Sequence, residues 1–206
     1  MCGRYTLSTV DGPDLAQRFG LLDAPAEETL YRFNICPTEK VAAVLKPGEV
    51  AAVRWGMRPF TKSKWTPINV RSENASRRWM EDGRVLILAD GWYEWLKQED
   101  KARGARIPFR YVVDGGVPFA FAGLYDGEGV AIMTTTANEI AAPVHDRMPV
   151  ILQSPDEEAA WLSRDVGVDA AKELLRPFPS DRVSVAPANP AVNKAGVEGP
   201  ELIVAP

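Results

Sequence analysis

Cysteine at position 2 is the residue whose place in the chain, more than its type, points to chemistry. Removal of Met1 ahead of this small residue leaves a thiol and an α-amine on adjacent carbons, a 1,2-aminothiol. An α-amine with a pKa of about 7.7 to 8.0 is roughly 10% unprotonated at pH 7, far more than a lysine of pKa about 10.4, so it forms a Schiff base with an aldehyde without a special pocket. The neighbouring thiol then adds to the imine and closes a five-membered thiazolidine, which holds the aldehyde by two bonds. Taken alone, a second-position cysteine is more often an arbitrary small residue than a nucleophile. The case therefore rests on what surrounds it.

Glu94 stands between Tyr93 and Trp95 in Gly91-Trp-Tyr-Glu-Trp95, where aromatic neighbours can desolvate a carboxyl group and raise its pKa toward the range useful for proton transfer. His145 is the one histidine of the chain and the one side chain whose unperturbed pKa lies near neutrality. Isolated, each has a blander reading: a solvated glutamate on an alternating strand, and a structural histidine.

Several strings decide between these readings. Met1-Cys-Gly-Arg-Tyr5, Arg32-Phe-Asn-Ile-Cys-Pro-Thr38, Arg54-Trp-Gly-Met-Arg-Pro59, Ile68-Asn-Val-Arg-Ser-Glu73, Gly91-Trp-Tyr-Glu-Trp95, Val144-His-Asp-Arg-Met-Pro-Val150, Ala191-Val-Asn193 and Gly199-Pro-Glu-Leu-Ile203 run in this order along nearly the whole chain. Together they resemble the SRAP family, the SOS-response-associated peptidase-like proteins that process abasic sites. The resemblance implies that Cys2 is the nucleophile that bonds the ring-opened deoxyribose aldehyde and that Asn69 positions the reacting groups. It implies likewise that Glu94 is the acid/base and that His145 assists ring opening and stabilises the product. The partner it implies is single-stranded DNA carrying abasic sites, bound with no cofactor and no metal by a monomer. A weak β-elimination lyase activity is compatible with the same imine.

Arg4, Arg71 and Arg147 each lie within two residues of one of these groups, a spacing suited to bidentate phosphate contacts, and Asn34 is grouped with them as a DNA-binding residue. Trp55, Phe60 and Trp65 offer stacking surfaces for bases beside the lesion, although core packing is an equal reading for Trp55. The segment from Phe60 to Trp65 does not align cleanly with the tryptophan-rich stretch of some family members. Cys36 stands where the family often has a small apolar residue and reads as a small buried hydrophobe. Two other functions stay open on sequence: a thiol peptidase that removes its own Met1, and a noncovalent binder of single strands or lesions.

Composition bounds these readings. The chain has 206 residues with 46% apolar content, enough for a substantial core. Its two cysteines form no dense disulfide framework, and with one histidine they offer no zinc spacing. No signal peptide or membrane span is evident, so a cytoplasmic, DNA-associated protein is expected. The net charge of −4 argues against nonspecific coating of nucleic acid. Residues 51 to 110, however, hold 13 Lys/Arg against 7 Asp/Glu, leaving 11 against 21 elsewhere, which allows one basic surface on an acidic protein.

The elements that must position these groups are mostly short strands. Val41 to Leu45 and Val50 to Trp55 flank Lys46-Pro-Gly-Glu49 as a hairpin, and further strands are expected over 84–89, 92–97, 108–113, 118–124, 129–135 and 148–152. Helices are expected near 13–19, where Pro13 suits a first turn and Gly20 a stop, after the capping pattern Ser154-Pro-Asp-Glu157, and over 170–176. The loop at 98–106 and the tail from 187 to 200 read as surface turns, with Glu201 to Val204 able to return as an edge strand. Strands preceding helices without regular alternation predict an α+β fold. The expectation is a single domain over 1–206, with a mixed or antiparallel, partly barrel-like sheet and peripheral helices.

Overall fold

A computed structural model describes residues 2–59, 66–96 and 106–203. Twelve strands and four α-helices are defined among them: β1 (Arg4–Leu7), α1 (Gly12–Phe19), β2 (Arg32–Ile35), β3 (Lys40–Lys46), β4 (Glu49–Trp55), β5 (Asn69–Arg71), α2 (Arg77–Asp82), β6 (Arg84–Ala89), β7 (Gly91–Leu96), β8 (Ile107–Val113), β9 (Phe119–Tyr125), β10 (Gly129–Thr136), β11 (Arg147–Pro149), α3 (Pro155–Leu162), α4 (Val168–Lys172) and β12 (Val183–Pro187). The expected hairpin is β3 and β4, turning at Gly48, whose φ of 80° favours a residue without a Cβ.

The strands form two sheets. One is antiparallel in the order β12-β8-β7-β1-β2. In the other, β4 pairs β3, β3 pairs β6, β6 pairs β9, β9 pairs β10, and β10 returns to β4 in parallel. Those five strands close on themselves, which realises the barrel-like expectation and leaves no free edge among them. Closure is tight at Gly129: a Cβ there would lie 2.0 Å from the Gly56 carbonyl oxygen. Beyond the closed part, β10 continues and takes β5 on one edge and β11 on the other, with Thr134 opposite both Arg71 and Pro149.

A shared aromatic core joins the sheets. Tyr5 on β1 meets Trp55 edge-on at 5.1 Å and Phe121 at 5.6 Å, while Trp92 stacks on Tyr111 at 4.9 Å. These five side chains are completely buried and dominate the apolar area removed from water.

The helices sit where their caps allow. In α1 the Asp11 carboxylate accepts the Asp14 N–H, and Gly20 ends the helix at φ 60°. In α3 the Ser154 hydroxyl accepts the Glu157 N–H, and the Glu157 carboxylate accepts the N–H of Gln153. Buried Arg84 donates to the carbonyls of Met80, Trp161, Ser163 and Val166, which satisfies the C-terminal ends of α2 and α3.

Four strands were not anticipated: β1, β2, β5 and β12. Each is three to five residues long, too short for a local pattern to mark a strand alone; neighbours supply their pairing. Conversely, the tail does not return as a strand: Pro200–Leu202 is a 3-10 turn that buries Leu202, and Val204 lies outside the described residues. So do Phe60, Trp65 and residues 98–105 of the expected loop.

Candidate active site

Cys2 leads directly into β1, and the register of β1 against β7, with Arg4 opposite Tyr93, carries the start of the chain alongside Glu94. Cys2 is completely buried; its Sγ lies 3.6 Å from the Arg4 carbonyl, and its own carbonyl accepts a 2.8 Å hydrogen bond from Asn69 Nδ2. Asn69 reaches it from the first position of β5, opposite Ile132. The amide oxygen of Asn69 is buried and has no hydrogen-bond partner among the described residues. Burial and the charge of Glu94 push the Cys2 thiol up, so it is held as the neutral thiol.

Glu94 is 3% exposed and alternates inward on β7 with Trp92. Burial raises its pKa to about 7, the chain's amino-terminal charge opposes that rise, and Asp146 adds to it. The carboxyl group therefore exchanges its proton near neutrality, as its aromatic flanks predicted, and its charge is felt in turn by Tyr111.

His145 sits in the turn before β11, with its side chain one quarter exposed. Its Nδ1 accepts the Arg147 backbone N–H at 3.0 Å and lies 2.9 Å from Asp146 Oδ1. One nitrogen cannot serve both at once: the first contact needs its lone pair, the second a proton. The Asp146 side chain is 84% exposed and gains little from the pairing. We therefore assign the neutral ring to the backbone contact and the protonated ring to Asp146.

The residues expected to bind DNA divide by burial. Arg71 is exposed on β5, two residues from Asn69. Arg4 is half-buried and donates through one nitrogen to Asn34 Oδ1 and the Val192 carbonyl, both at 2.7 Å. With Gly3, Trp95, Arg106 and Asn193 it lines a cavity of about 360 Å³ next to Cys2. Asn34 is completely buried, and its amide nitrogen donates to the Lys194 and Val197 carbonyls, so it acts on this groove by holding Arg4 and the tail. Trp55 is completely buried, with its indole N–H on the Ile68 carbonyl; of its two readings the structure shows core packing. The Arg147 side chain is only 7% exposed and is gripped by Glu73. Cys36 is buried, as expected.

Sequence reasoning missed Asp90. Its completely buried carboxylate accepts from the Thr6 hydroxyl, from the backbone and hydroxyl of Ser8, and from the backbone and hydroxyl of Thr9; Arg110 lies 3.5 Å away. This anion ties the end of β1 to the start of β7, the two strands that carry Cys2 and Glu94. Glu198 was missed as well: it accepts the Phe33 and Asn34 N–H groups and closes the β2 edge. Only Asp90's place one residue before the Gly-Trp-Tyr-Glu-Trp string hinted at its role.

Fold and site together define an α+β protein whose Cys2 thiol is set beside a buried carboxyl group and an amide that bonds the Cys2 carbonyl. The chain belongs to the SRAP family: residues 1–195 match the family model described as SOS response associated peptidase (SRAP). It is 31% identical to the abasic site processing protein YoqW of Bacillus subtilis, over 98% of this chain and 99% of that one. It is 30% identical to the abasic site processing protein YedK of Escherichia coli, with the same coverage. Among solved structures, a Bacteroides thetaiotaomicron protein superposes with a TM-score of 0.82 at 20% identity, covering 98% of both chains. Among the described residues no helix is long and apolar enough to cross a membrane, and no cluster of three or more His, Cys, Asp or Glu could hold a metal ion.

Proposed function

We propose that this protein processes abasic sites by covalent capture: after loss of Met1, Cys2 bonds the ring-opened deoxyribose aldehyde in single-stranded DNA. The observation that carries the reading is the meeting at Cys2 of the Asn69 amide and a Glu94 carboxyl group that titrates near pH 7. The related proteins named for abasic site processing support the substrate.

The buried thiol is neutral, so the amine reacts first. Its nitrogen adds to C1′ of the aldehyde and one water leaves, giving an imine. Sγ then bonds to C1′ while the thiol proton passes to nitrogen, which closes the thiazolidine with no further leaving group. Glu94, near half ionisation at neutral pH, takes and returns the protons of the addition and dehydration steps. The Asn69 nitrogen fixes the Cys2 carbonyl, and its buried oxygen is the acceptor that orients the new amine. His145 in its neutral form serves ring opening, and Arg4 and Arg71 hold the strand by its phosphates. The imine also permits β-elimination at the 3′ phosphate, so slow strand cleavage accompanies capture when ring closure is impeded.

The test is to mix processed protein with abasic single-stranded DNA and resolve the products on a denaturing gel. A shifted adduct is expected with wild type and none with Cys2→Ala. Equal adduct with Cys2→Ala overturns the reading, and salt-sensitive binding without any adduct marks a noncovalent module instead.

A further inference from the structure

We infer that Glu73 is a positioning residue for His145, acting through Arg147. The inference rests on the reading above, which places His145 at the reacting sugar.

Arg147 has two jobs that meet in one residue. Its backbone N–H donates to His145 Nδ1 at 3.0 Å, which fixes the ring's orientation. Its side chain is clamped on two sides: both terminal nitrogens bind the Glu73 carboxylate, at 2.5 and 2.8 Å, and one of them also donates to the Thr134 carbonyl at 2.6 Å. A two-point guanidinium–carboxylate pair fixes direction as well as distance. The two terminal nitrogens of the guanidinium are therefore engaged by protein, while its Nε is buried without a hydrogen-bond partner among the described residues.

The ends of this bridge lie on different arms of the site. Glu73 follows β5, four residues after Asn69 and two after Arg71, whereas Arg147 opens β11. The two arms flank β10 and meet opposite Thr134, the residue whose carbonyl receives Arg147. Backbone pairing sets each arm against β10, and the Glu73–Arg147 pair ties the arms to each other across it. The Asn69 amide and the His145 ring, which must act on one sugar, thereby share a frame. Arg147 holds the Glu73 carboxyl at about 2, so the pair stays ionised over the pH range in which the protein acts. The Glu73 side chain is itself 55% exposed, and its replacement removes the clamp without opening the core.

The experiment separates DNA binding from the covalent step. Kd is measured by fluorescence anisotropy with single-stranded DNA carrying a tetrahydrofuran abasic analogue, which has no aldehyde. The single-turnover adduct rate is measured with the true abasic strand. Glu73→Gln is expected to slow adduct formation about tenfold through misplacement of the ring, with Kd within about twofold of wild type. In a His145→Asn background the same change is expected to cost nothing further, because its route runs through the ring. Should Glu73→Gln fail to fold, Glu73→Asp, which keeps the charge and loses the two-point reach, is read in the same way. An unchanged rate, a rate loss matched by weaker or tighter binding, or an equal loss in the His145→Asn background overturns the inference. Wild type that forms no adduct sinks the functional reading instead, so the two failures are distinct.

Discussion

Glu94 and Cys2 show how far burial alone can set reactivity. The same desolvation acts on both, and it has opposite uses: it brings the carboxyl to about pH 7, where it can exchange protons, and it keeps the thiol protonated until an imine is available. The Glu94 shift also has a stability signature. Its folded pKa lies above the ordinary 4.5, so the folded state binds more protons between about 4.5 and 7. Stability is therefore greatest below that window and falls as pH rises through it, by about 3 kcal/mol for the shift given. Glu94→Gln is expected to remove this slope, so that its denaturant midpoint changes less than that of wild type between pH 4.5 and 7.5. The same variant is expected to slow adduct formation about 100-fold as a lost acid/base. Equal midpoint slopes in the two proteins would contradict the burial argument. At this scale Cys2, Glu94 and His145 were legible because their types are reactive and their strings distinctive. Asp90 and Glu73 were not, because a carboxylate that serves other residues has no signature until the fold brings its donors together.

The elements that hold these side chains are short, and their precision comes from pairing. β5 and β11 have three residues each and depend on β10, whose own path depends on the close approach of Gly129 to Gly56. Gly129→Ala is expected to destabilise the protein by about 3 kcal/mol or more through a backbone clash that no side-chain shift relieves, measured by urea denaturation. Tolerance of alanine there would mean that the barrel closes more loosely than described. The capping hydroxyl of Ser154 is a milder case: Ser154→Ala is expected to cost about 1 kcal/mol and leave adduct formation unchanged, since α3 packs on β6 and β9 and supplies none of the residues at Cys2. The strands of the closed barrel were readable from hydrophobic runs bounded by turns. β1, β2, β5 and β12 escaped because their stability is lent by partners distant in sequence, which a local pattern does not record.

Across the whole molecule, a net charge of −4 coexists with a cavity lined by Arg4 and Arg106 and with an exposed Arg71 on β5. Noncovalent binding of single-stranded DNA is expected to weaken steeply with salt, and Arg71→Gln to reduce the slope of log K against log salt by about 0.7, as one fewer phosphate is neutralised. An unchanged slope would place the strand elsewhere. The α+β class and barrel-like sheet followed from the order of strands and helices. That the barrel closes through one parallel pairing, β10 with β4, did not follow, because register between distant strands is fixed only in the assembled core.

The reactive unit is expected to be the complete 1,2-aminothiol of processed Cys2. Intact-mass spectrometry of the protein after incubation with abasic single-stranded DNA tests it most directly. The predicted species has lost Met1 and gained the mass of the DNA strand less one water, and it resists borohydride because the thiazolidine has replaced the imine. An adduct on protein that retains Met1, or one that forms equally well after the α-amine is blocked, would contradict the account.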